Sequence, residues 1–234
     1  MSAPRKTIGI VGGAVSGSVF ALHILSHPLL RQRYKPVIYE QLAPPASVEN
    51  NTSATQAQAT PPILHTAGAS LGIFPNGLFP LFELGLREAL EAISSQMEEL
   101  QVWRGDLNGS HALYNTMRNQ GWDSDLQSSV QVFERSRLRD TLLARVSQLG
   151  GEIHWQKKVR QVKATEASRP SVQFEDGETA ENDLLVGADG AWSPVRKFLL
   201  EARNSRTAAE RWPATYSGIA GIYGVSSGPE MRGL

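Results

Sequence analysis

Gly12-Gly13-Ala14-Val15-Ser16-Gly17 is the run in this sequence whose residue types and spacing are best suited to chemistry. It follows a short apolar stretch, residues 7–12 (TIGIVG). It precedes residues 16–26, where Val19, Phe20, Leu22 and Leu25 give an apolar side. That order predicts a buried strand, a tight turn and a helix. Gly12 permits the turn, and Gly17 permits close packing of helix on strand. The helix N-terminus then aims free N–H groups at an anion, and a pyrophosphate suits that geometry. Ala14 stands at the middle position of the usual G-x-G-x-x-G pattern, so one methyl presses on whatever passes the loop. Gly-rich strand–helix turns also exist for packing alone, so the run by itself is a weak signal.

Glu40 strengthens it. It ends a second predicted strand, residues 36–40, and stands 28 residues after Gly12. A carboxylate there accepts two hydrogen bonds from ribose hydroxyls and repels a 2′-phosphate, which suits FAD or NAD and not NADP. The plainer reading is a surface glutamate at a strand end. Strand, Gly turn, helix and strand make one βαβ unit with parallel strands, and Pro28 closes the helix.

Further along, residues 41–66 are rich in Ala, Ser, Thr, Gln, Asn and Pro, lack apolar periodicity and read as a loop. Residues 73–84 and 86–93 read as short helices. Residues 99–103 and 111–115 read as strands of a hairpin about Asn108-Gly109. A strand at 130–134 leads into the clearest amphipathic helix, 135–149, with Leu138, Leu142, Leu143, Val146 and Leu149 on one side and Gly150-Gly151 as its stop. Strands follow at 152–155, 158–165, 171–175 and 183–187. A short helix then opens at Ser193 or Pro194 and runs to Leu200, and residues 215–225 read as a last strand.

The chain has 234 residues, of which 41% are hydrophobic, enough to bury a sizeable core. Lys plus Arg is 23 and Asp plus Glu is 23, a balance that argues against nucleic-acid binding through a general positive field. There is no cysteine, which removes disulfides, thiolate metal sites and cysteine nucleophiles, and is compatible with a reducing compartment. The N-terminal stretch imitates a signal peptide, but Gly9, Gly12, Gly13, Gly17 and His23 interrupt it. The expected location is therefore cytoplasmic, and the sequons at Asn50, Asn51 and Asn108 carry no weight. No stretch reaches the ~18 uninterrupted apolar residues of a membrane span. His23, His27, His65, His111 and His154 lack ligand spacing, so no metal is expected. Ser16 and Ser193 have no His/Asp arrangement around them. The five tryptophans read as core or rim.

Residues 183–196, DLLVGADGAWSPVR, resemble the Asp-Gly segment of the FAD-dependent monooxygenases related to aromatic hydroxylases. Gly187, Ala188, Asp189, Gly190, Ser193 and Arg196 all fall in that pattern. Without the family, Asp-Gly is a turn and Ser193 an N-cap. Residues 67–77, AGASLGIFPNG, resemble the stretch those enzymes pass near the flavin, with Gly68 at a backbone contact. Phe133-Glu134-Arg135 before Leu138 resembles their strand-to-helix entry, whose arginine, here Arg135, reaches the cofactor. The blander reading of Arg135 is a solvated helix-start residue. The 67–77 stretch is similar to the fungal branch that epoxidises or hydroxylates terpenoid and indole substrates.

The resemblance implies an α/β fold: a Rossmann-type βαβ FAD-binding domain interleaved with part of a mixed β-sheet substrate domain. The implied FAD-binding pieces are 1–80 and 126–200, with a C-terminal piece missing. The implied sheet pieces are 81–125 and 201–234. The implied cofactor contacts are Gly12, Gly13, Ala14, Val15, Ser16, Gly17, Glu40, Gly68, Arg135, Asp189 and Gly190. The implied reaction transfers one atom of O2 to a small organic substrate, in secondary metabolism, with FAD as cofactor and NAD(P)H as electron donor. The flavin carries the chemistry, so no general acid or base is nominated. Family members continue past the strand resembling 215–225 to a later Gly-Asp segment that this chain lacks. In the same strand, some members of the fungal branch carry a cation near the substrate, where this chain has Ala220. Two other readings stay open. One is a truncated, catalytically silent flavoprotein or interaction module. The other is an NAD-dependent dehydrogenase, against which stand the Asp-Gly segment and the absence of further regular βαβ units after Glu40. The oligomeric state is not legible.

Overall fold

The computed structural model describes residues 4–45, 70–106, 108–118, 122–165, 168–202 and 215–219. The chain divides into two compact units, one of residues 1–63 and 139–221 and the other of 64–138 and 222–234. This division by compactness assigns 64–80 and 126–138 to the second unit, whereas the family pattern groups them with the FAD-binding pieces.

The first unit is built on a parallel sheet. β1 (Lys6–Val11) pairs with β2 (Tyr34–Tyr39) on one side and with β12 (Leu184–Gly187) on the other, and β2 pairs with β8 (Glu152–His154). The order is β12-β1-β2-β8, with every pairing parallel. β1 and β2 read as near-continuous apolar runs because both faces are covered. Helix α1 (Val15–Ser26) packs against β1 and β2 and buries Ala21, Leu22, Ile24 and Leu25. Burial of each larger side chain stabilises by roughly 1.5–3 kcal/mol. The other face meets an antiparallel meander of β9 (Val159–Thr165), β10 (Ser168–Phe174) and β11 (Thr179–Glu181), ordered β11-β10-β9. Val11, Val37, Tyr39, Val172, Phe174 and Val195 are buried together in the core between them. Val195 comes from α6 (Pro194–Ala202), which lies against β9 and β12. The architecture is α/β with a parallel sheet, as expected.

Pro28 does more than close α1. It is the first residue of α2 (Pro28–Arg33), whose N-terminus is capped by His27, with Nδ1 accepting from the N–H groups of Leu29 and Leu30. Proline fits there because its missing N–H has no intrahelical partner at that position anyway.

In the second unit β3 (Ser70–Ile73), β7 (Gln131–Glu134) and β4 (Ser94–Gln96) form an antiparallel sheet in the order β3-β7-β4. The helix expected over 73–84 is shorter. Ile73 ends β3, and α3 (Pro75–Glu83) starts behind it, followed by α4 (Arg87–Glu91). The hairpin forms from β5 (Glu99–Gly105) and β6 (His111–Arg118), with Asp106 Oδ1 accepting from the N–H groups of Asn108 and Ser110 in its turn. A bulge after Val102 interrupts its register. The helix α5 (Arg135–Gln148) runs as expected, and the division between the units falls inside it. Of the last predicted strand, residues 215–219 have no regular structure and the remainder lies outside the described residues. Residues 46–66 of the predicted loop also lie outside them.

Candidate dinucleotide site

β1 delivers the glycine run to the carboxyl end of the parallel sheet. Gly12 turns there at φ +98°, a conformation that L side chains rarely adopt. A Cβ on it would come within 2.6 Å of the Ala188 carbonyl oxygen. The space is tighter still at Gly17, where a Cβ would lie 1.9 Å from the carbonyl oxygen of Gly12. The helix can approach its strand only because residue 17 lacks a side chain.

The loop is pinned on every side. The Gly12 N–H donates to the Tyr39 carbonyl at 2.9 Å. The Gly13 N–H donates to Glu40 Oε2 at 2.6 Å, and the Gly13 carbonyl accepts from the Ser18 hydroxyl at 2.8 Å. The other carboxylate oxygen of Glu40 accepts from the Leu42 N–H at 2.9 Å. Glu40 is buried, so its charge is held by backbone donors in the absence of any cation partner among the described contacts. A carboxylate has about four acceptor sites, so two remain for hydroxyls. Ala14 is the N-cap of α1 in extended backbone, and no side chain caps that helix end or brings a negative charge to its first turn. No side-chain cap therefore competes for the N-terminal donors of Val15 and Ser16, which could take an anion.

The Asp-Gly segment arrives beside this loop. The Ala188 N–H donates to the Val11 carbonyl at 2.8 Å, extending the β1–β12 ladder by one residue. Asp189 turns back toward the start of α6, where its Oδ2 accepts weakly from the Val195 N–H at 3.4 Å. Its Oδ1 is buried and has no hydrogen-bond partner among the described residues. An unused carboxylate acceptor suits a ligand hydroxyl and opposes a phosphate. Gly190 follows at φ +79°. Ser193 caps α6, with Oγ accepting from the Arg196 N–H at 2.9 Å.

Thus Gly12, Gly13, Ala14, Val15, Ser16, Gly17, Glu40, Asp189 and Gly190 come together in the first unit. Arg135 opens α5 in the second unit with its side chain exposed. Gly68 lies outside the described residues. Sequence reasoning missed Ser18, Tyr39 and Asn182. Asn182 is fully buried, and its Oδ1 accepts from the Tyr39 hydroxyl at 3.0 Å. Burial pushes the Tyr39 phenol above its ordinary value, which keeps it a donor. No local signal marks these contacts, since their partners are 5 and 143 residues away. Among the described residues no group of His, Asp and Glu could hold a metal, and no helix is long and apolar enough to cross a membrane.

The profile of the FAD binding domain family matches residues 84–214, more than half of the chain. The FAD-dependent monooxygenase andE of Emericella variicolor is 27% identical over 93% of this chain and 41% of its own length. A salicylate hydroxylase of Pseudomonas putida is 25% identical over 98% of this chain and 45% of its own. The chain thus spans less than half the length of the curated relatives it matches. Among solved structures, Klebsiella pneumoniae HpxO complexed with FAD and uric acid superposes with a TM-score of 0.58 at 18% identity, covering 84% of this chain and 42% of that one. At that identity the likeness speaks for the fold.

Proposed function

Because the chain belongs to the FAD binding domain family, we propose that it is the cofactor-holding part of an FAD-dependent monooxygenase. The substrate would be a small organic molecule of secondary metabolism, a reading supported by the fungal monooxygenases among its relatives. The observation that carries the reading is the Gly12–Gly17 loop, closed to a Cβ at both ends, with the Glu40 carboxylate on one side and Ala188-Asp189 on the other.

In this reading 1–80 and 126–200 are the FAD-binding pieces, and 81–125 and 201–234 belong to the substrate sheet. The N–H groups from Ala14 to Ser16 hold the pyrophosphate, and Glu40 takes ribose hydroxyls with its spare acceptor sites. Glu40 also holds Gly13 in place, so the loop is set before the nucleotide arrives. Asp189 and Gly190 line the cofactor, with the free Asp189 Oδ1 turning to a hydroxyl. Gly68 and Arg135 join the set by resemblance. Bound FAD supplies the redox chemistry, passing two electrons from NAD(P)H to O2, so that one oxygen atom enters the substrate and the other leaves as water. The chain's own part is binding, orientation and the exclusion of water.

Titration of the isolated chain with FAD tests this. Glu40→Ala should weaken binding by about 1–3 kcal/mol, the range for hydrogen bonds to a charged group. Arg135→Ala should act on the same affinity. Unchanged affinity in both variants refutes the residue roles, and retention of NAD in place of FAD by the wild type favours the dehydrogenase reading.

A further inference from the structure

We propose that Asn182 is a positioning residue: it sets the register of β12 on β1 and so holds Ala188-Asp189 against the Gly12 turn. The proposal rests on the dinucleotide reading of that turn.

β12 is poorly equipped to find its own register. It has four residues and forms one edge of the described sheet. Leu184 and Gly187 are exposed, and Leu185 and Val186 are only half-buried. Register is normally fixed by a buried face, because a slip of one residue turns that face to solvent. A strand this exposed loses little by slipping. A slip of two residues would preserve the facing of its side chains and move Asp189 by about 7 Å along β1.

The two residues before β12 supply what the strand lacks. Asp183 and Thr7 exchange hydrogen bonds: the Asp183 N–H donates to the Thr7 carbonyl at 2.9 Å, and the Thr7 N–H donates to Asp183 Oδ2 at 2.7 Å. That pair is exposed in part and can be replaced by water. Asn182 cannot be replaced so easily. Its side chain fills the place where a Cβ on Gly9 would stand, within 2.5 Å of Asn182 Oδ1. Gly9 is the only glycine of β1, so the amide fits over one residue of that strand and over no other. There its Oδ1 accepts from the Tyr39 hydroxyl at 3.0 Å, tying β12 across β1 to β2. Its own N–H donates to the Pro170 carbonyl at 2.9 Å, fixing it to the meander as well. A slipped β12 would push the amide into a side chain of β1 and leave two buried polar groups unpaired, the Tyr39 hydroxyl and the Asn182 amide oxygen. The slot over Gly9 therefore determines where Ala188 and Asp189 stop, six and seven residues later.

Two measurements test the pin. Amide hydrogen exchange in the cofactor-free chain reads it without reference to FAD. Asn182→Ala should speed exchange of the Ala188 N–H about tenfold or more, while core amides of α1 keep their protection. Should Asn182→Ala fail to fold, Tyr39→Phe, which removes one hydroxyl and keeps the ring, should give the same pattern with a smaller factor. FAD titration reads the consequence through a double-mutant cycle. Asp189→Ala should weaken binding about tenfold in the wild-type background and add little in the Asn182→Ala or Tyr39→Phe background, because Asp189 is then no longer held in place. Unchanged exchange at Ala188 overturns the register pin. Additive effects on affinity, or no effect of Asp189→Ala in the wild-type background, overturn its link to the site. If the wild type binds no FAD, the dinucleotide reading falls, and the exchange result still decides the pin.

Discussion

A methyl group on residue 17 would sit 1.9 Å from the Gly12 carbonyl oxygen, far inside contact distance and against backbone that cannot swing away. Gly17→Ala should therefore push α1 off β1, cost about 3 kcal/mol or more, and abolish FAD binding. Urea unfolding and FAD titration check this, and an unchanged midpoint with unchanged affinity would show that the close approach is not required. Ala14 presents the opposite case. Its backbone, at φ −71° and ψ −169°, suits any residue, so its methyl matters only to what passes the loop. Ala14→Gly should tighten FAD binding roughly threefold and leave stability almost unchanged, since glycine is a better N-cap than alanine. Equal or weaker binding by that variant would mean the methyl does not crowd the cofactor. The glycine run and Glu40 were legible in the sequence because their roles follow from residue type and local spacing. Ser18 and Asn182 were not, because a buried serine or asparagine acquires meaning only from a partner that the fold brings to it.

At the scale of elements, the attachment of β12 to β1 has a pH signature. The Thr7 N–H, and after it the Arg169 guanidinium, hold the Asp183 carboxyl below its ordinary value of 3.8. A carboxyl lowered in the folded state adds stability that is fully present above the unfolded value and is lost as pH falls through the folded one. The contribution should therefore be intact above pH 5 and fade below about 3.8. Asp183→Asn should show a shallower loss of thermal midpoint as pH falls below about 3.8, with its curve approaching the wild type toward the acid end. A parallel pair of curves would contradict this. Glu152, held low chiefly by the Lys35 ammonium, keeps part of the acid slope in both proteins. The long elements were readable from their apolar residues and the breaks beside them, Gly12-Gly13 after β1, Pro28 after α1 and Gly150-Gly151 after α5, while β2 showed as an apolar run ending in Glu40. β3, β4 and β11, three or four residues each, are too short to show a period, and they exist because a neighbouring strand pairs with them. α2 was hidden behind Pro28, which ends one helix and begins the next.

For the molecule as a whole, charge and exposed apolar surface point the same way. The formal net charge is zero at pH 7, so no mean repulsion keeps copies apart there. Trp103 and Leu113 face each other across the β5–β6 hairpin, and both are about half exposed, at 53% and 47%. Solubility should pass through a minimum near neutral pH, and Trp103→Thr with Leu113→Thr should raise it without altering FAD affinity. Light scattering against pH for the two proteins is the check, and identical profiles would clear the hairpin of any part in self-association. The parallel sheet has another consequence, one of timing. β1 sits between a strand made soon after it and β12, which is made much later; 176 residues separate Thr7 from Asp183. At about 5–20 residues per second, a growing polypeptide needs roughly 10–35 s to cover that distance. Throughout that interval β1 offers an unpaired edge, open to the wrong partner. The βαβ unit thus emerges from the ribosome well before its site is finished, and loading of the nucleotide belongs after synthesis of residues 183–190.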